Sequence, residues 1–90
     1  MNMKPYNGHT NYETWLMATW LRNDYELAEM VSEAERDPHK LASMLRDKGM
    51  SDMPDLNGVW AGFLISAFSE VDWVGVAEYF VKNSEAVTQE

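Results

Sequence analysis

Apolar residues recur at helical spacing along nearly the whole of this 90-residue chain, in short segments separated by turn residues. One segment places apolar side chains at positions i, i+3, i+4 and i+7, on one face of a helix: Leu27, Met30, Val31 and Ala34. No segment shows the apolar and polar alternation that is typical of a half-buried strand. The pattern predicts an all-α fold, a compact single-domain bundle of four to five short helices over residues 1–90.

Capping residues predict where the first two helices begin. Thr10 and Glu13 match a Thr-x-x-Glu capping box, in which each side chain pairs with the backbone N–H of the other residue. The first helix is therefore expected over about residues 11–22. Asn-Asp at residues 23–24 forms the turn that follows and caps a second helix, which is expected to end near Arg36.

Asp-Pro at residues 37–38 predicts the start of a third helix, because Asp is a good cap and Pro suits the first helical position. Gly49 is expected to end this helix in the left-handed conformation that glycine adopts at low cost. Residues 50–55 are then expected to form a loop, which Pro54 supports.

The most apolar segment predicts the central helix, over about residues 56–69. Its large side chains repeat at helical spacing, and its other face is small or apolar. A helix that is apolar nearly all round is normally buried, so this one is expected to lie in the middle of the bundle. Gly62 would let a neighbouring helix come close. A strand over residues 59–65 is the alternative, which the length of the periodic segment disfavours.

The fifth helix is expected to begin after a cap at Asp72 and to end near Lys82. Its apolar stripe again follows helical spacing: Trp73, Val76, Ala77 and Phe80. The ends of the chain are polar. Residues 1–9 are expected to form an irregular lead-in, and residues 84–90 a frayed tail.

Two tryptophans in the first helix could pack in the core or form a binding surface. Trp15 and Trp20 are five residues apart, which separates them by about 140° around a helix. They therefore cannot both face one neighbour. Core packing is the favoured interpretation, with one ring under the fourth helix and the other at the edge, against Tyr6 and Tyr12.

Two stretches resemble the motifs of a known family. YNGHTNYETWLMATWLRND (residues 6–24) and LISAFSEVDWVGVAEYFV (residues 64–81) are similar to the opening and closing motifs of a family of small phage, plasmid and bacterial proteins without an established activity. The resemblance implies an origin in a mobile element, and small acidic proteins of such elements often inhibit host defence. Leu16 departs from the pattern, where a polar residue is more usual. Whether the motifs serve folding or recognition is open at this point.

The balance of charge restricts the possible partners. Fifteen Asp and Glu residues against seven Lys and Arg residues give a net charge of -8. This charge repels nucleic acids and anionic membranes, so a macromolecular partner is expected to present a basic surface. The longest apolar stretch, residues 59–68, is shorter than the roughly 20 residues that a membrane helix needs. The expectation is a soluble protein in the cytoplasm of a bacterial host cell.

Groups that could carry catalysis or bind a metal are scarce. The chain has no cysteine, and its two histidines, His9 and His39, are not spaced to bind a metal from one helix. No phosphate-binding loop is present. A surface or capping role is expected for both histidines. The protein is therefore predicted not to be an enzyme, with no catalytic residue, metal ligand or cofactor.

An acidic row on the second helix is the candidate partner-binding site. Glu26, Glu29 and Glu33 are three and four residues apart and share one face of that helix. Three further carboxylates extend the negative field at its ends: Asp24, Glu35 and Asp37. The functional interpretation is an anionic strip that occupies a basic groove, as nucleic acid would. The alternative is an ordinary solvated face.

These observations predict a non-enzymatic, acidic inhibitor from a mobile element. It would block the basic nucleic-acid-binding surface of a host defence protein, such as a CRISPR effector or a restriction enzyme. The alternative is a small structural or assembly protein that acts as a homodimer, since seven methionines and four tryptophans are many for this length and favour association surfaces.

Overall fold

The computed structural model describes residues 5–88, with side chains up to residue 83. Five helices follow one another, and residues 5–88 contain no extended strand, which confirms the all-α prediction. Their bounds are α1 (Tyr12–Arg22), α2 (Leu27–Glu33), α3 (Pro38–Asp52), α4 (Gly58–Ser69) and α5 (Trp73–Thr88). The last helix continues past Lys82, its predicted end. Predictions for residues 1–4 and 89–90 lie outside the described residues.

The core is built around α5, which packs against α1, α2 and α3. Val76 and Ala77 of α5 have no exposed surface, and Phe80 is also buried. The facing side chains are apolar residues of α1 and α3, of which Leu21, Leu41 and Leu45 are almost completely buried. Each of these helices contributes one apolar face, so together they close a core suited to a domain of this size.

The prediction that residues 56–69 form the central, buried helix is wrong. The segment is helical, as expected, but α4 contains no buried residue. Trp60 and Phe63 are 65% and 63% exposed. Helical periodicity identifies residues that need an apolar partner, but it does not say which molecule supplies that partner. Here the other four helices complete the core among themselves, and most of α4 is left outside it.

The start of α1 differs from the predicted capping box. Asn11 is the N-cap, and its side-chain oxygen accepts the Thr14 backbone N–H at 2.9 Å. Thr10 instead donates its hydroxyl to the Asp72 carboxylate, at 2.6 Å. The cap therefore lies one residue later than expected, because Thr10 has a partner from a distant part of the chain that local sequence does not reveal.

The turn between α2 and α3 begins earlier than predicted. The second helix ends at Glu33 rather than near Arg36. Glu35 and Arg36 both adopt left-handed backbone conformations, with φ of 57° and 60°. The start of α3 follows the prediction: Pro38 is in the first turn, and the Asp37 side chain accepts the His39 N–H at 3.0 Å.

Gly49 does not end α3, contrary to the sequence prediction. The helix continues to Asp52, with Gly49 in its interior. A Cβ atom at this position would lie 3.1 Å from Trp73 Cη2 and 3.2 Å from Phe68 Cε2. The glycine thus allows two aromatic rings to lie against α3. Close approach and helix termination both favour glycine, so the residue type alone did not distinguish them.

The lead-in contains a tight turn that holds an aromatic cluster. Tyr6 and His9 exchange two backbone hydrogen bonds of 2.9 Å, and Asn7 and Gly8 between them have φ of 48° and 84°. Asn-Gly is the pair that such a turn favours. Trp15 lies against this turn, 5.0 Å from the Tyr6 ring, which confirms the expected edge position for one tryptophan.

Candidate functional site

Hydrogen bonds join the start of α1 to the segment between α4 and α5. Asn11 Nδ2 donates to the Glu70 carbonyl at 2.8 Å, and Thr14 Oγ1 accepts the Asp72 backbone N–H at 2.9 Å. Asp72 also caps α5, as predicted, by accepting the Gly75 N–H at 3.0 Å. Polar residues of the two motif-like stretches therefore bond to each other, which gives them a role in folding.

This junction anchors only the C-terminal end of α4. Val71, just after the helix, is buried, and the Phe68 ring lies 5.2 Å from the Trp73 ring. Val59 and Trp60, near the other end, are 64% and 65% exposed. The molecule is elongated, with principal extents of 47 × 27 × 21 Å. The helix is thus attached to the bundle at its end and exposed at its beginning.

Apolar side chains of α4 and its neighbours are exposed to solvent although the core is closed without them. They are 42% to 65% exposed: Leu16, Trp20, Leu56, Val59, Trp60, Phe63 and Ile65. With about 150–250 Å² per aromatic side chain and somewhat less per aliphatic one, these fractions leave on the order of 800 Å² of apolar area in solvent. We call this set the α4 surface. So much exposed apolar area on one helix and its neighbours is unusual for a monomeric protein that does not use it for binding.

A groove between α1 and α4 runs along one side of this surface. Its volume is about 400 Å³. The lining is apolar apart from Glu13: Leu16, Met17, Trp20, Leu64, Ala67, Phe68 and Val71. Trp20 therefore faces α4, as expected for the second tryptophan, but the prediction of core packing is wrong for this ring, because it lines an open groove and is 50% exposed. Such a groove suits apolar side chains and offers little to a charged ligand.

The α4 surface is also distinct in charge. The sequence of α4, GVWAGFLISAFS, contains no charged residue, although the chain carries a net charge of -8. Gly62, in the middle of the helix, has nothing within 4 Å of the position that a Cβ would occupy. A neutral, apolar helix with an open glycine is suited to close contact with another apolar surface, and not to binding an ion or a polar substrate.

The predicted acidic row is partly engaged within the molecule. Lys48 of α3 lies 3.0 Å from Asp24, 3.6 Å from Glu26 and 3.6 Å from Asp52. The Glu26 backbone N–H and the Lys48 ammonium hold the pKa of Asp24 below its usual range, and Asp24 raises the pKa of Lys48. Asp24 and Glu26 therefore help to hold the start of α2 against α3.

The other members of the row are not gathered into one site. Glu35 lies in the left-handed turn, with its carboxylate 3.8 Å from Lys40, and Asp37 caps α3. Glu29 and Glu33 are exposed, one turn apart on α2. These two carboxylates are the part of the predicted strip that remains as an open acidic surface.

Other kinds of site find little support in the part of the chain that the structure describes. No group of three or more potential metal ligands is present there. The His9 ring packs 4.8 Å from Tyr79, and His39 is exposed in the first turn of α3. No single helix within residues 5–88 is long and apolar enough to cross a membrane; α4 and the first part of α5 pass that test only together, across a bend of 53°.

The fold and its surface define a small all-α protein with an exposed apolar helix. The chain belongs to a family of unknown function (DUF7249), whose model matches residues 2–66. This match includes the first motif-like stretch and every residue of the α4 surface, whereas Asp72 lies beyond it. Neither the curated proteins nor the solved structures contain a match to the chain.

Proposed function

We propose that this protein is a non-enzymatic binding protein that acts by contact of its α4 surface with another protein molecule. The observation that carries the proposal is the exposure of Trp60 and Phe63 on a helix without charged residues. An exposed apolar area on the order of 800 Å² matches the area that one partner contributes to a standard protein interface. Aromatic side chains are also the residues that most often dominate the energy of such contacts.

A photo-crosslinking residue at position 63 tests this proposal in the host cell. Phe63 is 63% exposed, so the replacement should be tolerated by the fold. Tyr25, which is 92% exposed and lies outside the α4 surface, is the matched control position. The expected result is a discrete protein adduct from position 63 that is absent from position 25. Equal labelling from both positions, or none from position 63, would contradict the proposal.

Glu29 and Glu33 support a second candidate function, the inhibition of a host defence protein with a basic nucleic-acid-binding surface. Both carboxylates are exposed on α2, whose Val31 is packed into the core. The negative charge would speed association with a basic surface and make binding sensitive to salt. The resemblance to mobile-element proteins adds the class of target: CRISPR effectors and restriction enzymes.

Charge reversal separates this candidate from the first. A Glu29→Lys, Glu33→Lys double variant should lose a host protein that the wild type captures at low salt. The control is Asp47→Lys, Glu78→Lys, which changes the net charge equally at two other exposed positions. Equal loss in both variants would indicate a general effect of charge. Undiminished capture by the first variant would remove the acidic row from the contact.

A further inference from the structure

We infer that the molecule that occupies the α4 surface is a second copy of this chain. In a twofold symmetric dimer, the exposed N-terminal half of each α4 would lie in the α1–α4 groove of the other copy. The inference rests on the proposed function, because it names the partner for that same surface. The tests below therefore distinguish two failures: that the α4 surface binds a protein other than a second copy, and that the α4 surface does not bind a protein.

The shape of the α4 surface is complementary to itself. It contains a projecting part, the exposed rings of Trp60 and Phe63, whose centroids are 5.9 Å apart. It also contains a recess that could accept such rings, the apolar groove of about 400 Å³ beside Leu16 and Trp20. A twofold interface uses one patch of each copy twice, so a patch that holds both a projection and a groove satisfies its geometry.

The distribution of charge favours a second copy over a partner of opposite charge. Two chains that each carry a net charge of -8 would repel at most of their surfaces. The α4 segment has no charge, so two copies can meet there without placing carboxylates in contact. Glu13 is the only charged residue that lines the groove. A basic partner would gain little attraction from this uncharged helix.

The exposed area agrees with this arrangement. The α4 surface of each copy offers on the order of 800 Å² of apolar area, which is comparable to what each side of a standard interface buries.

Sedimentation equilibrium of the full chain provides the first test. The wild type should show twice the 10.4 kDa mass of one chain as its concentration rises. Phe63→Glu places a charge inside the contact and should weaken self-association roughly 30-fold or more. Tyr25→Glu, at an exposed position outside the surface, should leave it unchanged. Unaltered helical circular dichroism in both variants would show that their folds are intact.

A charge-swap experiment tests the contact between projection and groove. Phe63→Glu alters the projection, and Leu16→Lys alters the groove, where Leu16 is 49% exposed. Each variant alone should be mainly monomeric. An equimolar mixture should form heterodimers, because the new Glu would meet the new Lys while the second contact stays wild type. Failure of the mixture to recover dimers would overturn the proposed geometry.

The outcomes separate the inference from the proposed function. A wild type that stays monomeric at all concentrations overturns the second copy as partner. If position 63 then still crosslinks to a different protein, the proposed function stands with another occupant. If wild type instead sediments with phosphatidylcholine vesicles and Phe63→Glu does not, the surface binds lipid, and both proposals are wrong.

Discussion

Thr14 Oγ1 accepts the backbone N–H of Asp72 at 2.9 Å, between residues 58 positions apart in sequence. Thr14 is 1% exposed and Asp72 is half-buried, so the bond is partly shielded from water. It holds the first turn of α1 against the start of α5, the helix around which the core is built. Thr10 adds a second bond to the same aspartate. The start of the bundle and its central helix are therefore fixed together by polar groups.

Replacement of Thr14 by valine should destabilise the protein by about 1–3 kcal/mol. Valine preserves the shape of the side chain but leaves the Asp72 N–H without its acceptor in a partly buried site, and an unsatisfied buried donor costs about this much. The free energy of unfolding, measured by urea denaturation monitored by circular dichroism, gives the value directly.

Thr19→Val is the matched control for this bond. The Thr19 hydroxyl is also buried, but it has no hydrogen-bond partner among the described residues. Its replacement removes an unsatisfied polar group, so the change should be neutral or slightly stabilising. Equal losses from the two substitutions would mean that the hydrogen bond to Asp72 does not explain the cost.

Trp60→Ala should reduce the stability of the monomer by no more than about 1 kcal/mol, because the ring is 65% exposed and leaves no core cavity. Phe80→Ala should cost about 3–5 kcal/mol, since Phe80 is 5% exposed at the centre of the bundle. Denaturation at low protein concentration, where self-association is negligible, checks both values. If Trp60→Ala lowered the free energy of unfolding as much as Phe80→Ala does, the peripheral position of α4 would be contradicted.

The contrast between Trp60 and Phe80 shows what could be predicted from sequence. Both lie on apolar stripes with helical spacing, which correctly predicts a helix for each. Spacing reports the local conformation, whereas burial depends on which helices meet. The stripe on α5 packs against α1, α2 and α3, and these four helices close the core without most of the apolar run on α4. Sequence hydrophobicity therefore ranked the two helices in the wrong order.

The candidate site was less predictable than the fold. The acidic row could be read from the spacing of Glu26, Glu29 and Glu33, but not the position of Lys48, which reaches Asp24 and Glu26 from another helix. The α4 surface did leave a signal, a helix without charge in a strongly acidic chain. An uncharged helix is expected both for a buried helix and for an exposed helix that contacts a partner. Only the packing of the other helices distinguishes these two interpretations.

Two glycines in helix interiors should respond differently to alanine. Gly62→Ala should stabilise the monomer by about 0.5–1 kcal/mol, because alanine favours the helix and its Cβ meets open space. At Gly49 the added Cβ would lie 3.1 Å from Trp73 and 3.2 Å from Phe68, so two packed rings must shift. The cost of moving these rings should offset the stability that alanine adds to the helix.

Thermal unfolding of the two alanine variants, again at low concentration, checks the comparison. We expect Gly62→Ala to melt above the wild type and Gly49→Ala to melt below Gly62→Ala. Equal increases in melting temperature for the two variants would mean that Trp73 and Phe68 can move away from α3 without cost. The contact between their rings, whose centroids are 5.2 Å apart, argues against this.

The ion pair between Asp24 and Lys48 should make stability depend on pH at both extremes. The pKa of Asp24 is below its ordinary value of 3.8 in the folded state, so its stabilising contribution is present above that value and is lost as the pH falls through the folded pKa. The pKa of Lys48 is above its ordinary value of 10.5, so its contribution is present below 10.5 and is lost as the pH rises through the folded pKa.

Asp24→Asn tests this pH dependence, because the amide oxygen can still accept the Glu26 N–H at the start of α2 but carries no charge for Lys48. The free energy of unfolding of Asp24→Asn should differ from that of the wild type by a constant amount at pH values well above 3.8 and well below 10.5. This difference should become smaller at lower pH, where Asp24 is protonated, and at higher pH, where Lys48 loses its charge. Added salt should reduce this difference, since the ion pair lies near the surface.

Asp47→Asn, at an exposed carboxylate of α3, is the control, and its free energy of unfolding should stay within about 0.5 kcal/mol of the wild-type value at every pH. A difference for Asp24→Asn that does not change with pH would mean that Lys48 does not stabilise the folded state through this carboxylate.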